Sequence, residues 1–168
     1  MQFGYFDDDN KEYVITNPET PAPWSNYLGS TSYGAIITNN AGGYSFYKSA
    51  AQGRFMRYRT NAIPMDQPGR YIYIRDRESG DYWSASWQPV CKPPDRFKSV
   101  CRHGTAYTVI SSEYSGIGTE TTYFVPLGME YEYWHCKITN IGQKKRKLRL
   151  FTFVEYTSNW HLWMDIVN

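Results

Sequence analysis

No apolar run in this chain approaches the roughly 18 residues that a membrane-spanning helix requires, so no such helix is predicted. The residues after Met1 are polar and acidic, and a secretory leader, with its basic head and apolar stretch, is not expected. Neither sign of charge is in large excess. A formal net charge of +2 argues against the strong field that nucleic-acid and anionic-membrane binders present. Cysteine is scarce. Cys91, Cys101 and Cys136 form an odd set, which reads as free thiols in a reducing, cytoplasmic compartment. Cys91 and Cys101 lack zinc-ligand spacing and no second pair follows, so no metal is expected. No stretch sustains helical periodicity over about twelve residues, so no long helix is predicted.

Aromatic residues and strand signals fill the space those absences leave. Aromatics make up 18% of the 168 residues, with 16 tyrosines and 6 tryptophans, enough large side chains for one well-cored domain. Runs rich in Tyr, Ile, Val, Phe and Thr alternate with Gly, Pro, Asn and Ser clusters. Strands are predicted over 12–16, 33–38, 44–48, 54–59, 70–76, 82–86, 105–114, 117–125, 131–139 and 147–156. Residues 17–29, with Pro18, Pro21 and Pro23, read as a long ordered loop, and 90–99 as a connection. Ser115-Gly116 has the character of a two-residue hairpin link. Residues 140–147, ending in the basic run Lys144-Lys145-Arg146-Lys147, read as a further hairpin tip. Tyr71 and Tyr73 alternate with Ile72 and Ile74, so both faces of that strand are expected to be covered. About ten strands at this spacing imply an all-β antiparallel sandwich. Phe151-Thr152-Phe153-Val154 is apolar enough to predict an exposed patch near the C-terminal strands and a tendency to associate.

The chain offers few groups with the pattern of a catalytic site. Asp7-Asp8-Asp9 is acidic but lacks the glycine-centred pattern of a calcium loop, and reads as a solvated turn. The basic run reads the same way, as charge that protects a strand edge. His103 has no visible acid partner and is expected to order a loop through hydrogen bonds. His135 alternates within a strand and reads as packing, and His161 lies in the C-terminal segment. Trp24, Trp83, Trp87 and Trp134 are expected to fill the core or an interface. Trp160 and Trp163 are better placed to stack on a sugar ring.

Several strings carry a family likeness. They are Phe3-Gly4-Tyr5-Phe6-Asp7-Asp8, Asn39-Asn40-Ala41-Gly42-Gly43-Tyr44-Ser45-Phe46-Tyr47, Pro68-Gly69-Arg70-Tyr71-Ile72-Tyr73-Ile74, Gly80-Asp81-Tyr82-Trp83-Ser84, Cys101-Arg102-His103-Gly104, Phe124-Val125-Pro126-Leu127 and Phe151-Thr152-Phe153-Val154-Glu155. In this order they resemble the N-terminus of the inverting glycoside phosphorylases of the cellobiose, laminaribiose and chitobiose phosphorylase type, glycoside hydrolase family 94. The strings around Tyr33 and Gly80 lean toward the laminaribiose or chitobiose side.

The resemblance implies an N-terminal supersandwich over residues 1–156 and the start of a dimer-crossing loop over 157–168. The helical linker and the α/α barrel with the catalytic acid would follow. Attack by inorganic phosphate replaces the base-activated water of an inverting glycosidase, so one carboxylic acid suffices and phosphate is a co-substrate. No catalytic residue is assigned to this chain, and no cofactor. The implied loop crosses to the partner of a homodimer and walls its acceptor site. It is expected to bring Trp160, Trp163, Asp165 and Asn168 close to the neighbour's β-linked disaccharide. Two other classes fit the composition: a stand-alone carbohydrate-binding sandwich and a purely structural one.

Overall fold

A computed structural model describes residues 2–58 and 68–157. Its twelve strands are β1 (Gly4–Asp7), β2 (Glu12–Ile15), β3 (Ser25–Gly29), β4 (Tyr33–Thr38), β5 (Gly43–Tyr47), β6 (Tyr71–Asp76), β7 (Tyr82–Ser84), β8 (Lys98–Gly104), β9 (Tyr107–Tyr114), β10 (Ile117–Phe124), β11 (Tyr133–Asn140) and β12 (Leu148–Phe153). Every strand pairing is antiparallel. One six-stranded sheet runs β1-β2-β8-β9-β10-β11, and two three-stranded sheets run β3-β4-β5 and β12-β6-β7. The chain is an all-β sandwich.

The large sheet presses one face against both small ones. Ile15, Cys101, Ile110 and Tyr123 from the large sheet meet Leu28, Tyr33, Ala35 and Ile37 in one core. Ile117 meets Ile72, Ile74, Trp83 and Phe97 in the other. The small sheets are joined at a seam, where Gly42 bridges Gly69 and the Arg70 N–H donates to the Ala41 carbonyl at 2.8 Å. The β9–β10 turn follows the dipeptide. Ser115 and Gly116 both hold positive φ, 51° and 77°, the conformation a right-twisted two-residue hairpin needs.

Several elements differ from the sequence expectation. Residues 17–29 are not all loop, because their last five residues form β3. Its anchor is polar: the Asn26 amide donates to the carbonyls of Gly104 and Tyr107, both at 2.8 Å. Residues 98–104 form β8 between β2 and β9, so His103 lies on a strand. Residues 54–58 make no named strand. They join the sheets through the isolated bridges Phe46–Arg54 and Met56–Tyr156 and the hydrogen bond from the Phe55 N–H to the Ser45 carbonyl, and residue 59 lies outside the described residues. The strand with both faces expected covered is covered along one face, at Ile72, Ile74 and Asp76, and on the other only at its start, where Tyr71 is buried and Arg75 is exposed.

The β11–β12 connection is a crossover, not a hairpin. β11 pairs with β10 in the large sheet, and β12 pairs with β6 in the opposite one. Arg146 pins the link by hydrogen bonding to the Asp76 carboxylate and the Ser115 carbonyl. The Glu78 N–H, the Arg146 guanidinium and the Ser79 N–H hold the Asp76 carboxyl below its ordinary range. Lys144 and Lys145 are solvated as expected, but Arg146 ties the two layers together.

Candidate functional site

β12 delivers the chain to the segment that carries the predicted site. Beyond Phe153 the backbone pairs with residues 55–57: the Arg57 N–H donates to the Glu155 carbonyl at 3.0 Å and the Thr157 N–H to the Phe55 carbonyl at 2.9 Å. Arg57 and Glu155 add an ion pair at 3.8 Å. Trp160, Trp163, Asp165, Asn168 and His161 lie outside the described residues. Beside their point of departure is a cleft of about 320 Å³, lined by Tyr33, Phe55, Trp134, Tyr131, Tyr156 and Glu130 among others.

Glu132, which also lines that cleft, belongs to a buried ion pair. Arg70 Nε donates to Glu132 Oε1 at 2.5 Å and Nη2 to Oε2 at 3.2 Å. The same guanidinium reaches Ser45 Oγ at 2.6 Å and the Ile36 carbonyl at 3.0 Å. Glu132 also accepts from Trp134 Nε1 at 2.7 Å and from the Ser45 hydroxyl at 3.0 Å. Burial alone would raise the Glu132 carboxyl, but the Arg70 charge and these donors outweigh it and hold it below its ordinary range. Every oxygen is occupied, so the pair is a strut with no acid or base to offer. Composition gives no sign of it, because its members are far apart in sequence.

His103 is also structural. A carbonyl can only accept, so Nε2 carries the hydrogen and donates to the Trp24 carbonyl at 3.1 Å, while Nδ1 accepts from the Thr108 hydroxyl at 3.0 Å. Burial pushes the imidazole below its ordinary value of 6.5, even though the Trp24 contact favours the charged form. A lowered native value means the contribution to stability is whole above about pH 6.5 and fades as pH falls toward that native value. Replacing His103 with Ala removes two hydrogen bonds, although the Trp24 carbonyl still accepts from the Asn39 N–H and the Thr108 hydroxyl from the Asn26 amide, and is expected to cost about 1–3 kcal/mol. The acid-side drop in melting temperature that begins near pH 6.5 should shrink in the variant. An unchanged pH profile would contradict this.

The other candidates fall out simply. Asp7 accepts the N–H and amide of Asn10 in an exposed turn. Among the described residues no group of three His, Cys, Asp or Glu could hold a metal. His135 faces solvent on β11, contrary to the packing expectation, because the odd positions of that edge strand point away from the core. The three cysteines are free, and burial raises each thiol. Trp83 is buried, Trp24 and Trp87 are partly buried, and Trp134 borders the cleft beside Tyr156. Leu150, Phe151, Tyr131 and Tyr133 are exposed beside the C-terminal strands, where the apolar patch was expected.

Around Arg70 and His103, buried polar groups hold the layers of the sandwich together. The family model of the glycosyl hydrolase 94 supersandwich domain matches residues 11–168, and the chain belongs to that family. It is 47% identical over its full 168 residues to N,N'-diacetylchitobiose phosphorylase of Vibrio proteolyticus, spanning 21% of that protein. Against the enzyme of the same name from Vibrio furnissii, identity is 46% over 157 residues, 94% of this chain and 20% of the relative. A 3-O-beta-D-glucopyranosyl-beta-D-glucuronide phosphorylase of Paenibacillus borealis is 35% identical over 150 residues, 89% of this chain and 18% of the relative. The chain spans about a fifth of the length of these curated relatives. No helix among the described residues is long and apolar enough to cross a membrane.

Proposed function

We propose that this chain is the N-terminal sandwich of a cytoplasmic, homodimeric glycoside phosphorylase. The parent enzyme cleaves a β-linked disaccharide with inorganic phosphate, inverts the anomeric centre and releases an α-sugar 1-phosphate. The observation that carries this reading is the alignment of the entire chain, at 47% identity, with one such phosphorylase. That relative makes N,N'-diacetylchitobiose the first substrate to test. The sandwich supports the barrel and the dimer. Residues 157–168 reach the neighbour's acceptor site, with Trp160 and Trp163 stacking on the sugar and Asp165 and Asn168 hydrogen bonding to its hydroxyls.

The chemistry needs one acid and a phosphate held at the scissile bond, and the family resemblance places both in the barrel. The purified 168-residue chain, incubated with N,N'-diacetylchitobiose and phosphate, is therefore expected to release no sugar 1-phosphate. It is also expected to show no calorimetric affinity for neutral oligosaccharides, because the acceptor site needs the neighbour's barrel. Turnover would overturn the assignment. Tight sugar binding without turnover would establish a carbohydrate-binding module in its place.

A further inference from the structure

The outer face of the β12–β6–β7 sheet gathers three arginines and three aromatic rings. The register sets Arg149 opposite Arg75 and Arg75 opposite Tyr82, and two residues along it sets Phe151 opposite Tyr73. Directly opposed side chains share a face. The alternate positions Ile72, Ile74 and Trp83 are buried, so this set points away from the core. Arg77 continues the row beyond β6. Two clefts result. One, of about 200 Å³, is lined by Arg75, Arg77 and Arg149. The other, of about 380 Å³, is lined by Tyr73, Tyr82, Phe151, Gly80 and Arg75. Arg75 belongs to both.

The charge is uncompensated. Arginines opposed across a strand pair repel and cost stability, and the nearby acids are engaged elsewhere. Asp76 holds Arg146, Asp81 holds Lys92 at 2.6 Å, and Glu78 faces Lys147 at 4.0 Å. Among the described residues no carboxylate pairs with Arg75, Arg77 or Arg149. Guanidinium forks match the oxygens of a phosphate, and aromatic faces match a flat ring or the apolar face of a pyranose.

We infer that this face binds a phosphate monoester carried on a ring, such as a phosphorylated sugar. The phosphate sits among Arg75, Arg77 and Arg149, and the ring lies on Tyr73, Tyr82 and Phe151. Occupancy of this site requires no turnover.

Titration of the ¹⁵N-labelled chain, followed through backbone and arginine Nε–H signals, tests this. Glucose 1-phosphate is expected to shift Arg75 and Arg149 saturably and to bind at least about tenfold more tightly than inorganic phosphate, a gap of about 1.4 kcal/mol. Glucose is expected to shift nothing. Phenyl phosphate identifies the ring: binding equal to glucose 1-phosphate means any ring ester is accepted, and weaker binding means the site reads the sugar. Arg149→Gln and Arg75→Gln are each expected to weaken binding at least about tenfold while leaving the melting temperature unchanged or higher, because opposed charges are relieved. A purely structural role would lower it. The inference is overturned by no saturable shift or by equal binding of inorganic phosphate. It is also overturned by concentration-dependent shifts of the same signals without ligand, which would assign the face to a protein partner.

Discussion

Replacing Glu132 with Ala is expected to destabilise the domain by about 3–5 kcal/mol, since removing one partner of a buried ion pair leaves the other charge uncompensated. For a chain of this size that is a fall in melting temperature of roughly 6–20 °C. The Arg70 side chain is fully buried and that of Glu132 is 7% exposed. Their partners come from β4, β5 and the first residues of β11, so one guanidinium ties both small sheets to the large one. Arg70→Lys should recover little, because a lysine cannot bind Glu132 bidentately while also reaching Ser45 and Ile36. The double replacement Arg70→Met with Glu132→Leu should recover most of the loss, because apolar packing often matches a buried pair. Thermal denaturation followed by tryptophan fluorescence checks all three. A shift below about 1 °C for Glu132→Ala would show that the pair is not a strut.

The same pair sets an acid limit. The native Glu132 carboxyl lies below its ordinary value of 4.5. Its contribution is therefore complete above about that pH and is lost as pH falls through the lowered native value. This acid limb begins near pH 4.5, whereas that of His103 begins near pH 6.5.

What could be read from the sequence follows from which side chains face inward. β9 and β10 were legible because Ser115-Gly116 marks the turn and Ile110, Ile117 and Tyr123 alternate into the core. β8 was not, because its inward positions are Ser99, Cys101 and His103, a small or polar set with no hydrophobic period. β3 was hidden for a similar reason: Leu28 is its one fully buried residue, and Asn26 does the anchoring. The partner of β12 was misread because local order suggests a hairpin, whereas Arg146 binds Asp76, which is 70 residues away. The family was legible from an ordered series of short strings. The contacts of the predicted site residues were not, because local pattern says nothing about a neighbouring subunit.

An exchange of segments is expected to have the largest functional effect. The chain aligns end to end with a fifth of the Vibrio proteolyticus enzyme. Substituting it for the matching segment should give an active phosphorylase, within roughly tenfold of the parent. Within that chimera, Asp165→Ala should raise KM for the acceptor sugar in the synthetic direction by roughly tenfold or more, and Asn168→Ala, which loses a neutral hydrogen bond, by roughly two- to tenfold. A hydrogen bond involving a charged group is worth about 1.5–3 kcal/mol, and 1.4 kcal/mol is about tenfold. KM for the sugar 1-phosphate should not move, because the donor binds on the far side of the scissile bond.

The most direct test of the account is phosphorolysis of N,N'-diacetylchitobiose by that chimera, measured as sugar 1-phosphate released per dimer. The account predicts sustained turnover that is lost when the chain is used alone. A folded, dimeric chimera with no turnover would contradict it.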